Sequence, residues 1–368
     1  GGQALGTLPD GKKAFFWNAL SSEIVKEYTI AKQKSHYIEA IATKIDNLSP
    51  HRVKPKDECY LSTSPWQIIN YNYELQLKQE LIVELFREHN ISIDKPEIIT
   101  DYKDYYYRNK MEYALYWDLE LSRIKRAFHQ RGSHRKIPIK SSSIEHPEIF
   151  KAATKIIEDL NNKHEEARNY QSLLLRCNQN GEVSGGLYEN HQPHPTFNNL
   201  KDTILEEEYS YSPNGFFQIN LPVYEMALKE IKKYIITDNV LDLYAGVGTI
   251  GLSVAHNKNL TLVEVDKSAY QELVKNGKNF ARAESLSNIH PILEKSENVT
   301  DFISSNQTVI LDPPRAGCDK KLIDKLNEAR PETIIYLSCN PATQARDIKL
   351  LLDNYKIKTI KTFNFFNF

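Results

Sequence analysis

The chain is poor in cysteine, and neither sign of charge prevails over its 368 residues. Cys59, Cys177, Cys318 and Cys339 are scattered with no CxxC spacing. That argues against a disulfide scaffold, a structural zinc or an iron–sulfur site, so no metal is expected, and it fits a reduced cytoplasmic compartment. Lys and Arg number 47 against 48 Asp and Glu, so any affinity for nucleic acid has to come from a local patch. No apolar run approaches the roughly 20 residues that span a bilayer, so no membrane partner is expected. The Gly1–Gly6 start has neither the basic residues nor the apolar core of a signal peptide. There is no internal repeat and no low-complexity segment. What is present is enough chain for two or three domains, each able to bury a core.

Residues 1–55 read as short strands between glycine turns. Lys12–Trp17 and Ile24–Ile30 alternate as the strands of a small β-barrel do. Residues 73–90 have helical periodicity, with Leu75, Leu77, Leu81, Ile82, Leu85 and Phe86 as the apolar stripe. Strands and helices mix from 56 to 205. From 206 to 368 strand and helix alternate, with strands expected at 239–244, 260–265, 307–311, 333–338 and 356–364. That pattern means an α/β fold with a doubly wound parallel sheet.

Within that region, Gly246, Gly248 and Gly251 form a GxGxxG pattern that follows a strand and opens a helix. Glu264 ends the next strand, where an acid can bind both ribose hydroxyls. The pattern suits NAD as well as S-adenosylmethionine. Asp242, four residues before Gly246, tilts it toward S-adenosylmethionine, whose enzymes commonly carry an acid there.

Two further strand ends carry chemistry. In Asp312-Pro313-Pro314-Arg315 two prolines fix the backbone and give the carboxylate a preset direction into the cleft. In Ser338-Cys339-Asn340-Pro341 the Asn-Pro stops the strand, so the thiol sits on a sharp turn in the ligand crevice. Carbon 5 of uracil is a poor nucleophile, and a thiolate adding to carbon 6 makes an enolate that can be alkylated there. Cys318 and Cys177 read as packing.

These motifs together resemble the RNA uracil-C5 (5-methyluridine) methyltransferase family. Gly1–Gly6, Ala19-Leu20 and Tyr37–Ala40 resemble its TRAM domain, a small RNA-binding barrel, without a first strand. Tyr107–Lys110 and Gly132-Ser133-His134 are similar to its central domain, and Phe216–Asn220 to the opening of its catalytic domain. The resemblance implies that Gln218, Tyr244, Gly246, Gly248, Thr249 and Glu264 hold S-adenosylmethionine, with Asp312 beside it. Cys339 would be the nucleophile and Asp312 the site acid. Cysteine-rich relatives carry an iron–sulfur cluster where this chain keeps only Cys59. Thr362–Phe366 resembles the family's last motif, and the chain stops before the His-x-Glu that would supply the base, which reads as a truncated chain.

Residues 121–140 hold nine cationic or imidazole side chains and no acid, among them Arg131, His134, Arg135 and Lys136. These four are expected to contact phosphate. The expectation is therefore a monomeric three-part protein: a TRAM-like barrel (1–55), a central α+β domain (56–205) and a methyltransferase domain (206–368). Its substrate would be a uridine of structured rRNA or tRNA, turned out of its stack. The alternatives are an amino-group nucleic-acid methyltransferase, for which Arg315 is an unusual neighbour, and an RNA-binding or RNA-folding protein without turnover.

Overall fold

The computed structural model describes residues 2–193, 195–281 and 288–366. Gly1, named above, lies outside the described residues. Strands Ala4–Thr7, Lys13–Trp17, Tyr37–Asp46 and Ile24–Gln33 lie side by side in that order. Their alternation buries Ala14, Phe16, Ile38, Ala40 and Ala42 in one small core. The β-rich unit expected at the start of the chain is present, and among the described residues its sheet has Ala4–Thr7 and Ile24–Gln33 as its outer strands.

Next comes a helix, Tyr71–Glu88, capped by the Asn70 side chain, which accepts from the Tyr73 amide at 2.9 Å. Leu75 and Phe86 are buried as expected, but Leu81 is 46% exposed. The place expected for apolar packing on this helix is shared by Glu74, which is wholly buried and ion-paired with Lys78. A five-stranded antiparallel sheet follows, ordered Val183–Glu189, Tyr170–Cys177, Lys110–Asp118, Arg123–His129, Lys136–Pro138. The helix Pro147–Asn162 covers one face with Ile149, Ala153, Ile157 and Leu160.

The last sheet is parallel: Ile289–Leu293, Asn259–Glu264, Asn239–Leu243, Thr308–Leu311, Thr333–Tyr336. Its order reverses between Asn239–Leu243 and Thr308–Leu311, which opens a crevice at their carboxyl ends. The hairpin of Leu200–Ile204 and Glu207–Tyr211 packs Leu200, Ile204, Tyr209 and Tyr211 into the same core as Val240 and Leu262, so residues 200–205 go with this unit.

The expected strand at 356–364 does not join this sheet. Only Lys361–Phe363 is a strand, and it pairs in parallel with Glu97–Ile99. Lys356, Lys358 and Lys361 break up the apolar residues of this stretch, and such charges are poorly suited to a parallel sheet buried on both faces. The fifth position is taken by Ile289–Leu293, where Pro291 is tolerated because the strand lies at the edge. Among the described residues no helix is long and apolar enough to cross a membrane.

Candidate active site

The glycine loop leaves the Asn239–Leu243 strand with positive φ at Tyr244 (64°), Gly246 (59°) and Gly248 (89°). Such a course favours glycine, and it brings the backbone over the sheet end. Gly251 is needed for a different reason, since a Cβ there would lie 2.7 Å from Asp242 Oδ2. The Gly251 amide donates to that oxygen at 2.8 Å. Asp242 is fully buried, and its Oδ1 has no partner among the described residues. Burial, aided by the charges of Asp312 and Glu264, pushes its carboxyl up to about 8.

Glu264 accepts from the Gly246 amide at 2.7 Å and the Asp266 amide at 2.6 Å. It thus ties its own strand end to the glycine loop. The Tyr244 hydroxyl donates to Glu297 Oε1 at 2.9 Å. One pocket is lined by Gln218, Tyr244, Gly246, Thr249 and Asp312, all expected there, together with Phe216, Phe217 and Tyr224. Gly248 and Glu264, also expected there, are not among the lining residues. Gly248 sits where a Cβ would strike Leu273 and Leu252. Tyr224 is buried against Thr249, and burial with the nearby Asp312 carboxylate drives its hydroxyl pKa far upward. Asp312 itself is pushed up to about 6 by burial.

Asp312 and Cys339 follow neighbouring strands, in register through Leu311 and Tyr336. The turns after them are bonded to each other. Asn340 Nδ2 donates to the Arg315 carbonyl at 2.9 Å, and Thr343 Oγ1 donates to the same oxygen at 3.2 Å. Ser338 Oγ accepts from the Asn340 amide at 3.0 Å and closes the cysteine turn. Cys339 is exposed on it, whereas Cys59, Cys177 and Cys318 are buried. Burial pushes the Cys318 thiol up to about 12. Asp347 fixes the loop from behind, accepting from the Cys318 amide (2.8 Å) and the Tyr336 hydroxyl (2.7 Å).

The four expected phosphate contacts separate into two kinds. His134 and Arg135 are exposed. Arg131 instead lies 4.1 Å over the Trp17 ring and donates to the Leu61 carbonyl, while Lys136 donates to the Leu115 carbonyl at 2.8 Å. Tyr224, Glu297 and Asp347 escaped sequence reasoning. Tyr224 sits in the apolar pattern of the helix Leu221–Lys232, and Asp347 is one acid of an ordinary amphipathic helix.

The family model described as tRNA (uracil-5-)-methyltransferase matches residues 199–368. That segment is similar to the tRNA (uracil-5-)-methyltransferase family. Every residue expected to hold the donor or to act in catalysis lies within this segment. Similarity to curated proteins extends over nearly the whole chain. A Prochlorococcus marinus protein named an uncharacterized RNA methyltransferase is 28% identical, over 90% of this chain and 93% of its own. One from Staphylococcus aureus with the same description is also 28% identical, over 96% of this chain and 90% of its own. The solved structure of Pyrococcus abyssi tRNA (uracil-54, C5)-methyltransferase, in complex with S-adenosyl-L-homocysteine, superposes with a TM-score of 0.74 at 22% identity. The match covers 99% of this chain and 97% of that one, and shows that the two share a fold.

Proposed function

We propose that this protein methylates carbon 5 of a uridine in structured RNA, tRNA or rRNA, through a covalent bond to Cys339. The observation that carries this reading is the bonding of the Asp312 and Cys339 turns to each other, beside the glycine loop. The pocket residues fit S-adenosylmethionine. The space where a Gly246 Cβ would project is open, and the buried Asp242 Oδ1 lacks a partner among the described residues. When bound, this donor supplies an electrophilic methyl group. Gln218, Tyr244, Gly246, Thr249 and Glu264 would hold it.

In this mechanism the Cys339 thiolate forms a bond to carbon 6 of the uracil, and the electron pair moves to carbon 5 and the carbonyl oxygen. Carbon 5 then takes the methyl group, and S-adenosylhomocysteine leaves. A base removes the carbon 5 proton, the carbon 5–carbon 6 double bond re-forms, and the thiolate is expelled. Asp312 accepts from N3–H of the uracil in its ionised form, which its raised pKa confines to pH above about 6. The sheet of residues 4–46 and exposed His134 and Arg135 supply RNA contacts in the manner of a TRAM-bearing protein.

The test uses RNA carrying 5-fluorouridine, which has no carbon 5 proton to lose and so stays attached. Full-length protein, donor and labelled tRNA or rRNA should give a retarded band on a denaturing gel. Cys339→Ala should lose both that band and methyl transfer to ordinary RNA. Methylation that survives Cys339→Ala would replace this reading with an amino-group methyltransferase. RNA binding with no methylation in any RNA would leave a binding protein.

A further inference from the structure

Residues 214–218 join the Leu200–Tyr211 hairpin to the helix Leu221–Lys232, and Phe216, Phe217 and Gln218 form one wall of the donor pocket. The carbonyls of this wall and of the two residues leading into it are held by Arg176 of the strand Tyr170–Cys177, Lys110 of the strand Lys110–Asp118 and Asn109 just before that strand. Arg176 is wholly buried, and donates to Gly215 O (3.2 Å), to Phe217 O and to Gln218 O (3.3 Å). Its guanidinium also lies 4.9 Å from the Tyr211 ring and 5.5 Å from that of Phe217. Asn109 Nδ2 donates to Gln218 O at 3.3 Å. Lys110 Nζ donates to Asn214 O at 2.8 Å and Gly215 O at 3.1 Å.

This arrangement is costly for mere packing. Arg176 Nε and Asn109 Oδ1 are buried without partners among the described residues. Leaving polar atoms so is unfavourable, and an apolar side chain of similar volume would avoid it. What the polar groups achieve is directional: they fix four carbonyls of a segment whose other side faces the pocket. We propose that Asn109, Lys110 and Arg176 are positioning residues that set donor affinity by holding the Phe216–Gln218 wall, so that the charge on Lys110 tunes how tightly the pocket grips its ligand. This rests on the donor reading above.

Burial, with the positive charges of Arg176 and Arg108 beside it and Glu112 opposing, brings Lys110 down to about 8. Arg176, lowered by burial to about 10, stays charged through that window. Below about pH 8 Lys110 therefore makes two charge-assisted bonds to Asn214 O and Gly215 O, which lead into the wall, and above it the neutral amine makes weaker ones. Donor affinity should fall as pH rises through that value.

The experiment is calorimetric titration of the full chain with S-adenosylhomocysteine, between about pH 7 and about pH 9 to bracket Lys110. Unmodified protein, Lys110→Arg and Lys110→Met are compared. Asp242 and the amine of the ligand titrate in every variant, so the quantity read is the ratio of Kd values at each pH. The ratio of unmodified protein to Lys110→Arg should stay flat below about pH 8 and widen several-fold above it. Lys110→Met should bind about ten-fold more weakly with no added step, in keeping with loss of hydrogen bonds to a charged group. Arg176→Lys, checked for folding by circular dichroism, should weaken binding in the same direction. Unchanged affinity in both Lys110 variants, with a ratio flat across pH, overturns the proposal while leaving the donor site intact. If unmodified protein binds no S-adenosylhomocysteine, the donor reading fails and takes this one with it.

Discussion

Gly246, in the loop after Leu243, and Gly251, in the helix Thr249–Ala255 that follows, stand five residues apart and serve opposite ends. A Cβ on Gly251 would meet Asp242 Oδ2 at 2.7 Å and Leu262 Cδ2 at 2.9 Å. Gly251→Ala should cost about 1–3 kcal/mol by overpacking, seen as a lower Tm. Nothing lies within 4 Å of the corresponding point on Gly246, whose φ is +59°. Gly246→Ala should cost only the left-handed penalty of about 1–2 kcal/mol, but its methyl enters the pocket and should weaken S-adenosylhomocysteine on calorimetry. Asp242 makes the pH dependence of stability testable. Its folded pKa, about 8, exceeds the ordinary carboxyl value, so the native state holds a proton that the unfolded chain releases. Stability from this group is complete at acid pH and is lost as pH rises toward 8. Asp242→Asn should flatten that decline in urea unfolding of the ligand-free protein. A slope equal to that of the unmodified protein would mean that Asp242 is ionised in the fold.

Two neighbouring strands place Asp312 and Cys339 at one sheet end, but the turns beyond them need side chains to stay together. Asn340 does both jobs at the start of the helix Pro341–Leu351. It accepts from the Ala342 amide at 3.3 Å and donates to the Arg315 carbonyl at 2.9 Å. Asn340→Ala should lower stability by about 1 kcal/mol, as loss of a helix cap does. It should also slow adduct formation with 5-fluorouridine RNA in single-turnover assays, while S-adenosylhomocysteine affinity stays put. Normal adduct kinetics would show that the backbone alone holds the cysteine turn. The Glu97–Ile99 and Lys361–Phe363 pair works at the same scale. It carries Phe365 to 6.1 Å from Tyr224, under the donor pocket.

Across the whole molecule, basic residues divide between holding the protein together and facing outward. Arg131 joins the N-terminal and central sheets through Trp17 and Leu61, whereas Arg135 is exposed. Arg135→Ala should reduce the slope of log affinity for RNA against log salt by about one contact's worth and leave Tm unchanged. Arg131→Ala should lower Tm, with loss of a cation–π contact of about 0.5–2 kcal/mol. The reverse pattern would mean that Arg131 faces RNA and Arg135 does not. Sequence alone determined four of the five strands of the parallel sheet, the glycine loop, the proline-stiffened Asp312 and the cysteine turn. Each is local, because a backbone that needs glycine or proline within a few residues of a strand end writes that need in those residues. Tertiary structure decided the rest. The pairing of residue 97 with residue 361, the inward turn of Arg131 and the grip of Arg176 on Gly215–Gln218 join positions far apart in the chain. Leu81 on the surface and Glu74 in the interior belong with them, since a helix records which residues share a face but not what packs against it. Contacts between distant segments are chosen by shape, burial and unpaired polar groups, and these leave no periodic trace in the chain that makes them.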